Sequence, residues 1–111
     1  MEIRENLKNY IITPLSPILN DYESYRVIEE LNSCNKNVAL NMEYVQDCSI
    51  DFFEKIKEFA QNKIIGMYNV QADIFLLLNL MDLDKKIQIF VNEEDYLSNK
   101  RMLINRRFQV A

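Results

Sequence analysis

The sequence predicts an α/β fold: a single-layer, mostly parallel sheet of four to five strands with helices packed mainly on one face. Three observations lead there. Short runs of β-branched and aromatic residues alternate with longer stretches of helical period, in the order β, β, α, β, α, β, α, β, α; helical crossovers between strands imply parallel pairing. The run Val38, Ala39, Leu40 and Met42 is apolar without a polar side, as a central strand covered on both faces would be. The length of 111 residues and apolar fraction of 49% suit one domain, residues 1–111, with a core that needs neither disulfide nor metal.

Met1–Arg4 is a weak opening strand, and the polar stretch Glu5–Asn9 should turn the chain. Tyr10–Thr13 reads as a strand because its residues are aromatic or β-branched. Pro14 and Pro17 end it, since proline donates nothing to a ladder. Asn20 caps the first helix, with Glu23 in capping-box position. Tyr22, Tyr25, Ile28 and Leu31 mark its expected buried face, and Asn35 is the expected left-handed terminator beyond it.

After the central strand, Ser49 (with Asp47 the alternative) is the N-cap of a second helix, and Asp51 suits its first turn. Phe52, Phe53, Ile56, Phe59 and Ala60 form its buried stripe. Ile64–Val70 is the next strand, followed by a helix over Ala72–Met81. Seven of the eight residues from Ile74 to Met81 are apolar, so this helix is buried or offers an interface through Ile74, Leu77, Leu78 and Met81. An isologous homodimer is the default geometry for such a surface. Leu83 and Asp84 turn the chain into a last strand, Ile87–Val91. Asn92, with Asp95 three residues on, caps a closing helix whose apolar positions are Tyr96, Leu97, Met102, Leu103, Ile104 and Phe108.

Composition excludes several functions. Histidine is absent, which removes the commonest general base and nitrogen ligand. The single glycine, Gly66, cannot build a P-loop or dinucleotide fingerprint, so no nucleotide cofactor is expected through those loops. Cys34 and Cys48 have no metal or redox spacing. No metal site, cofactor or catalytic constellation is read, and the chain is not expected to be an enzyme. There is no run long enough for membrane insertion and no signal-peptide pattern, so a cytoplasmic protein with free thiols is expected. Residues 1–95 hold all 17 acids and nine of the 13 bases, whereas residues 96–111 hold Lys100, Arg101, Arg106 and Arg107 and no acid. The acidic body argues against nucleic acid. The pairs Glu29–Glu30 and Glu93–Glu94 read as solvated helix faces.

The order of elements and two stretches resemble a STAS domain (sulfate transporter and anti-sigma factor antagonist). The family pattern is a strand ending in Asp, then V-x-x-I-D-S-S-G-L opening a helix. Here Ala39-Leu40-Asn41 stands for the strand end, Val45 for the valine and Cys48 for the apolar residue. Ser49 falls on the aspartate, Ile50 on the serine phosphorylated in anti-sigma factor antagonists, Asp51 on the second serine, and Phe52 and Phe53 on the glycine and leucine. A two-residue gap would instead set Asp47 on the aspartate and Cys48 on the phosphoserine; neither alignment puts a hydroxyl at the acceptor position. The second stretch, KIIGMYNVQADIFLLLNLMDLDKKIQIFVNEEDYL, is similar to the family's strand, helix, G-L-D-K turn, strand and closing helix, with Asp82 at the glycine.

The resemblance implies a bacterial, non-enzymatic regulatory module that binds a protein partner such as an anti-sigma factor kinase. It also implies that a serine switch is absent or rewired. The partner-binding residues are then Gln46, Asp47, Cys48, Ser49, Ile50 and Asp51, with Ser49 the nearest hydroxyl for phosphorylation. The alternative is an accessory subunit on an ABC-type lipid transporter ATPase.

Overall fold

The computed structural model describes residues 1–102. Its chain opens with a hairpin, because Asn6 turns its own backbone: the Asn6 side-chain oxygen accepts from the backbone N–H of Lys8 and of Asn9, at 2.9 and 2.8 Å. Strands β1 (Glu2–Glu5) and β2 (Asn9–Thr13) pair antiparallel across it. The remaining ladder is parallel. β2 pairs with β4 (Asn37–Asn41), β4 with β6 (Ile65–Tyr68), and β6 with β7 (Gln88–Phe90). The sheet order is β1-β2-β4-β6-β7, and two short strands, β3 (Ile18–Leu19) and β5 (Asp47–Cys48), pair with each other apart from it.

Three helices cross between these strands: α1 (Asp21–Asn32), α2 (Ile50–Ala60) and α3 (Ala72–Leu80). They cover one face with a core that includes Ile12, Leu40, Phe52, Phe53, Ile56 and Met67. A short helix, α4 (Glu93–Leu97), lies over the other face. There Ile11, Ala39, Tyr68 and Phe90 form a second, smaller cluster against Tyr96. Strand β4 feeds both clusters by strict alternation: Val38 and Leu40 point one way and Ala39 the other. The mostly parallel sheet, with most helices on one face, is the expected architecture.

The smallest residues sit where the second face is most crowded. Gly66 pairs with Ala39 in the middle of the sheet, and the Tyr96 ring lies directly over it. A Cβ added at Gly66 would stand 2.8 Å from Tyr96 Cε1. That ring cannot slide away freely, since it stacks on Tyr68 at 5.7 Å and meets Phe90 edge-on at 5.2 Å.

Several local expectations are corrected. In α1 the buried residues are Ser24, Val27 and Leu31, whereas Tyr22 and Tyr25 are exposed. The helix is rotated because small Ser24 packs against the preceding segment, its hydroxyl donating to the Leu19 carbonyl at 3.4 Å. Its end is closed by Ser33, whose backbone N–H and hydroxyl both reach the Glu30 carbonyl, and not by a left-handed Asn35. The closing helix stops at Leu97. Asn99 adopts a left-handed φ of 55°, and the N–H groups of Asn99 and Lys100 bond the carbonyls of Tyr96 and Asp95, a Schellman closure. Met102 then returns to the sheet edge, its N–H donating to the Ile89 carbonyl at 2.9 Å. Leu103, Ile104 and Phe108, and the basic Arg106 and Arg107, lie outside the described residues.

Gly66→Ala is expected to destabilise the protein by about 1–3 kcal/mol through overpacking, read as a lower urea midpoint. In a Tyr96→Ala background, the same substitution should cost much less.

Candidate functional site

The stretch after β4 is held by backbone pairing that a sequence pattern does not announce. Met42 extends the ladder, its N–H bonding the Tyr68 carbonyl, and Val45 closes a turn onto Met42. Two two-residue strands then pair in parallel: β3 (Ile18–Leu19) and β5 (Asp47–Cys48). The Pro17 carbonyl accepts from the N–H groups of Gln46 and Asp47 at 2.7 and 3.1 Å, and the Leu19 carbonyl accepts from Ser49 at 2.8 Å. Helix α3 packs beside this small sheet. The turn is therefore a fixed ridge at the end of the sheet where the parallel strands finish.

The side chains of the ridge divide cleanly. Val45 and Cys48 point into the core, while Gln46 and Asp47 are exposed. Ser49 caps α2: its hydroxyl accepts from the Phe52 N–H at 3.3 Å. Ile50, the first residue of the helix, is 73% exposed, an unusual place for a large aliphatic side chain. Asp51 is half-buried and pairs with Lys55 at 3.0 Å. Burial, with Asp47 alongside, pushes the Cys48 thiol up to about 12, so it stays protonated and unreactive at neutral pH. The six predicted partner-binding residues thus form one structural unit, of which Gln46, Asp47 and Ile50 are open to solvent. Ile18, in register with Asp47 and 55% exposed, joins them. Sequence reading missed Ile18 because only Ile18 and Leu19 stand between Pro17 and the Asn20 helix cap, too short a run to show periodicity.

Below the ridge, Asn41 ties the strand ends together. This residue occupies the strand-end position and is 7% exposed. Its side-chain oxygen accepts from the Glu43 N–H at 3.2 Å and from Asn69 Nδ2 at 3.0 Å. Asn69 itself adopts a left-handed φ of 56°.

On α3, Ile74 and Leu78 face the core, Met81 is half-buried and Leu77 is exposed. The outward apolar stripe is Leu76, Leu77 and Leu80, so Ile74 and Leu78 are packing residues and not surface ones. The acidic pairs also divide: Glu29 and Glu94 are exposed, while Glu30 and Glu93 are half-buried acceptors. Glu30 accepts from the Tyr10 hydroxyl, and that bond, with burial, raises the phenol to about 12. Glu93 accepts from the Tyr68 hydroxyl at 2.9 Å and pairs with Arg4, linking α4 to β6 and β1. Among the described residues there is no group of three or more histidine, cysteine or acidic side chains placed to hold a metal ion. No helix among them is long and apolar enough to cross a membrane.

This architecture matches known structures. A Thermotoga maritima protein assigned as an anti-sigma factor antagonist superposes with a TM-score of 0.75 over 91% of this chain and 94% of that one, at 15% identity. The chain has the STAS fold. It is also similar to murine Solute Carrier 26 family member A9, an anion transporter, with a TM-score of 0.70 and 13% identity; 87% of this chain matches 18% of that one. No protein-family model matches the sequence, and no curated protein does. In this STAS fold the ridge from Gln46 to Asp51 is the strand–helix junction that carried the sequence resemblance.

Replacing the cap, Ser49→Ala, is expected to cost about 1 kcal/mol of stability, measured by chemical denaturation. A thiol reagent at about pH 8 should leave Cys48 unlabelled until urea unfolds the protein.

Proposed function

We propose that this chain is a non-enzymatic regulatory module that docks a protein partner through the Gln46–Asp51 ridge, without the serine switch of anti-sigma factor antagonists. The observation that carries this reading is the pairing of Ser49 with Ile50. The hydroxyl of Ser49 is engaged as the helix cap, and the exposed side chain beside it is aliphatic and cannot accept a phosphoryl group. With Ile18 next to it, Ile50 gives the ridge an apolar tip that contributes to binding by desolvation. Its flanks carry Asp47 and the acidic first turns of the helices. The partner of first choice is an anti-sigma factor of the kinase type, as the likeness to the Thermotoga protein suggests, and the setting is the cytoplasm.

A second reading places the same module on a transporter ATPase, through the same ridge. The likeness to a stretch of an anion transporter favours it, because there the fold serves as part of a transport protein. In either setting, the α3 stripe of Leu76, Leu77 and Leu80 is a second surface, open to the partner or to another copy of the chain.

Affinity capture with the purified protein decides between them. Retrieval of a kinase-type anti-sigma factor supports the first reading, and retrieval of a transporter ATPase supports the second. Ile50→Glu should lower retrieval at least tenfold with an unchanged melting temperature. Equal retrieval by the variant would remove the ridge from the interface. Incubation with the captured kinase and ATP should leave the intact mass unchanged; a phosphate addition abolished by Ser49→Ala would restore the switch. Leu77→Glu should shift either partner retrieval or the mass seen by light scattering, and no change in both would leave α3 without a binding role.

A further inference from the structure

The opposite end of the sheet carries a second pattern. Each parallel strand is preceded by lysine: Lys8 before β2, Lys36 before β4, Lys63 before β6, and Lys85 and Lys86 before β7. Adjacent strands lie about 4.8 Å apart, and their register pairs Asn9 with Asn37 and Val38 with Ile65. Carried back to the strand starts, that register sets Lys8, Lys36 and Lys63 in one row. All five lysines are exposed, and so are Lys100 and Arg101 after the Asn99 turn. Two adjoining grooves of about 370 and 300 Å³ share Asn37, Val38 and Ile64; Lys8 lines the first, and Lys36 and Lys63 line the second.

Aliphatic side chains share this edge. Leu7, at the hairpin tip, is 96% exposed, and Ile64, between Lys63 and β6, is 72% exposed. Lys36 Nζ bonds the Asn6 carbonyl at 2.8 Å, which holds the tip against the lysine row. Acids lie at this end as well: Glu5 stands 3.3 Å from Lys36 and Asp82 3.4 Å from Lys85, Asp84 adjoins Lys85, and Glu58 lines a groove with Lys63. Most of the other acids in first helical turns, Asp21, Asp51, Asp73 and Glu94 among them, stand at the far end, because the crossover helices start where the parallel strands finish.

We propose that this edge seats the protein on an anionic lipid bilayer, with the lysine row against headgroup phosphates and Leu7 and Ile64 in the interfacial layer. The chemistry favours a membrane over nucleic acid. The row is lysine, a point charge suited to a diffuse anionic plane, and not the arginine fork that reads phosphate geometry. The protruding residues are aliphatic, suited to an interfacial layer, where a nucleic-acid surface would offer aromatic stacking platforms. A chain with a net charge of −4 approaches a negative plane only by its basic edge, so the lysine row also fixes the orientation. The ridge at Gln46–Asp51 is then presented away from the lipid.

Sedimentation of the full chain with vesicles tests this. Binding is expected to phosphatidylcholine vesicles containing phosphatidylglycerol, not to phosphatidylcholine alone, and to weaken several-fold as salt is raised. The triple variant Lys8→Glu, Lys36→Glu, Lys63→Glu should lose binding. Leu7→Ser, at an exposed hairpin tip where folding is not at stake, should weaken it several-fold with every charge retained. Absence of binding to phosphatidylglycerol vesicles, or binding unchanged in both variants, would overturn the proposal. Displacement from vesicles by a single-stranded RNA oligomer, with Leu7→Ser binding that RNA as well as wild type does, would reassign the edge to nucleic acid.

Discussion

Everything in this molecule follows from four strands running the same way. A parallel pair cannot be closed by a tight turn, so the chain must cross back each time over one face of the sheet. The crossover helices therefore begin where the strands end. Their free N–H groups and positive dipole ends gather at one end of the molecule, and the sequence answers with acids in those first turns, Asp21, Asp51 and Asp73. The strand starts gather at the other end, where the sequence places lysine. The net charge of −4 is thus unevenly placed, with the lysines before the strands gathered at one end among a few acids. Both surfaces singled out, the ridge at Gln46–Asp51 and the lysine edge, are consequences of that single constraint.

The second consequence concerns space. A sheet covered on both faces needs side chains that fit two different partners. On the helix side, Leu40, Phe52 and Met67 fill an ordinary core. On the other side the described residues supply only the five-residue helix α4, and the aromatic rings of Tyr68, Phe90 and Tyr96 form the cluster there. The Tyr96 ring comes close to the sheet because Gly66 beneath it has no side chain and the neighbouring Ala39 is small. Glu93 secures the arrangement by joining Tyr68 and Arg4. The one glycine in the chain is thus explained by close approach, and not by backbone strain.

The alternation of strands and helices was legible because long periodic segments carry their own signal: Phe52, Phe53, Ile56 and Phe59 can belong to nothing but a buried helical stripe. The caps at Asn20, Ser49 and Asn92 were legible for the same local reason, and each accepts the N–H expected of it. What escaped depends on contacts distant in sequence. Strands β3 and β5 are two residues long, too short for any period, and exist because each supplies the other's backbone partners. Tyr22 and Tyr25 looked like core because aromatic spacing outweighed the small Ser24, which sets the helix rotation. Glu30 and Glu93 looked solvated because their tyrosine partners lie 20 and 25 residues away. At the candidate site, sequence located the segment, while the exposure of Ile50 and Ile18 needed the fold.

The central claim is that the ridge is a preformed docking surface and not a chemical switch. Amide hydrogen exchange on the unmodified protein, alone and with its captured partner, tests this most directly. The account predicts added protection at Gln46–Ile50 and at the paired Ile18–Leu19 backbone, with the free protein already ordered there. Protection confined to other segments, or arising at the ridge only after phosphate is added, would contradict it.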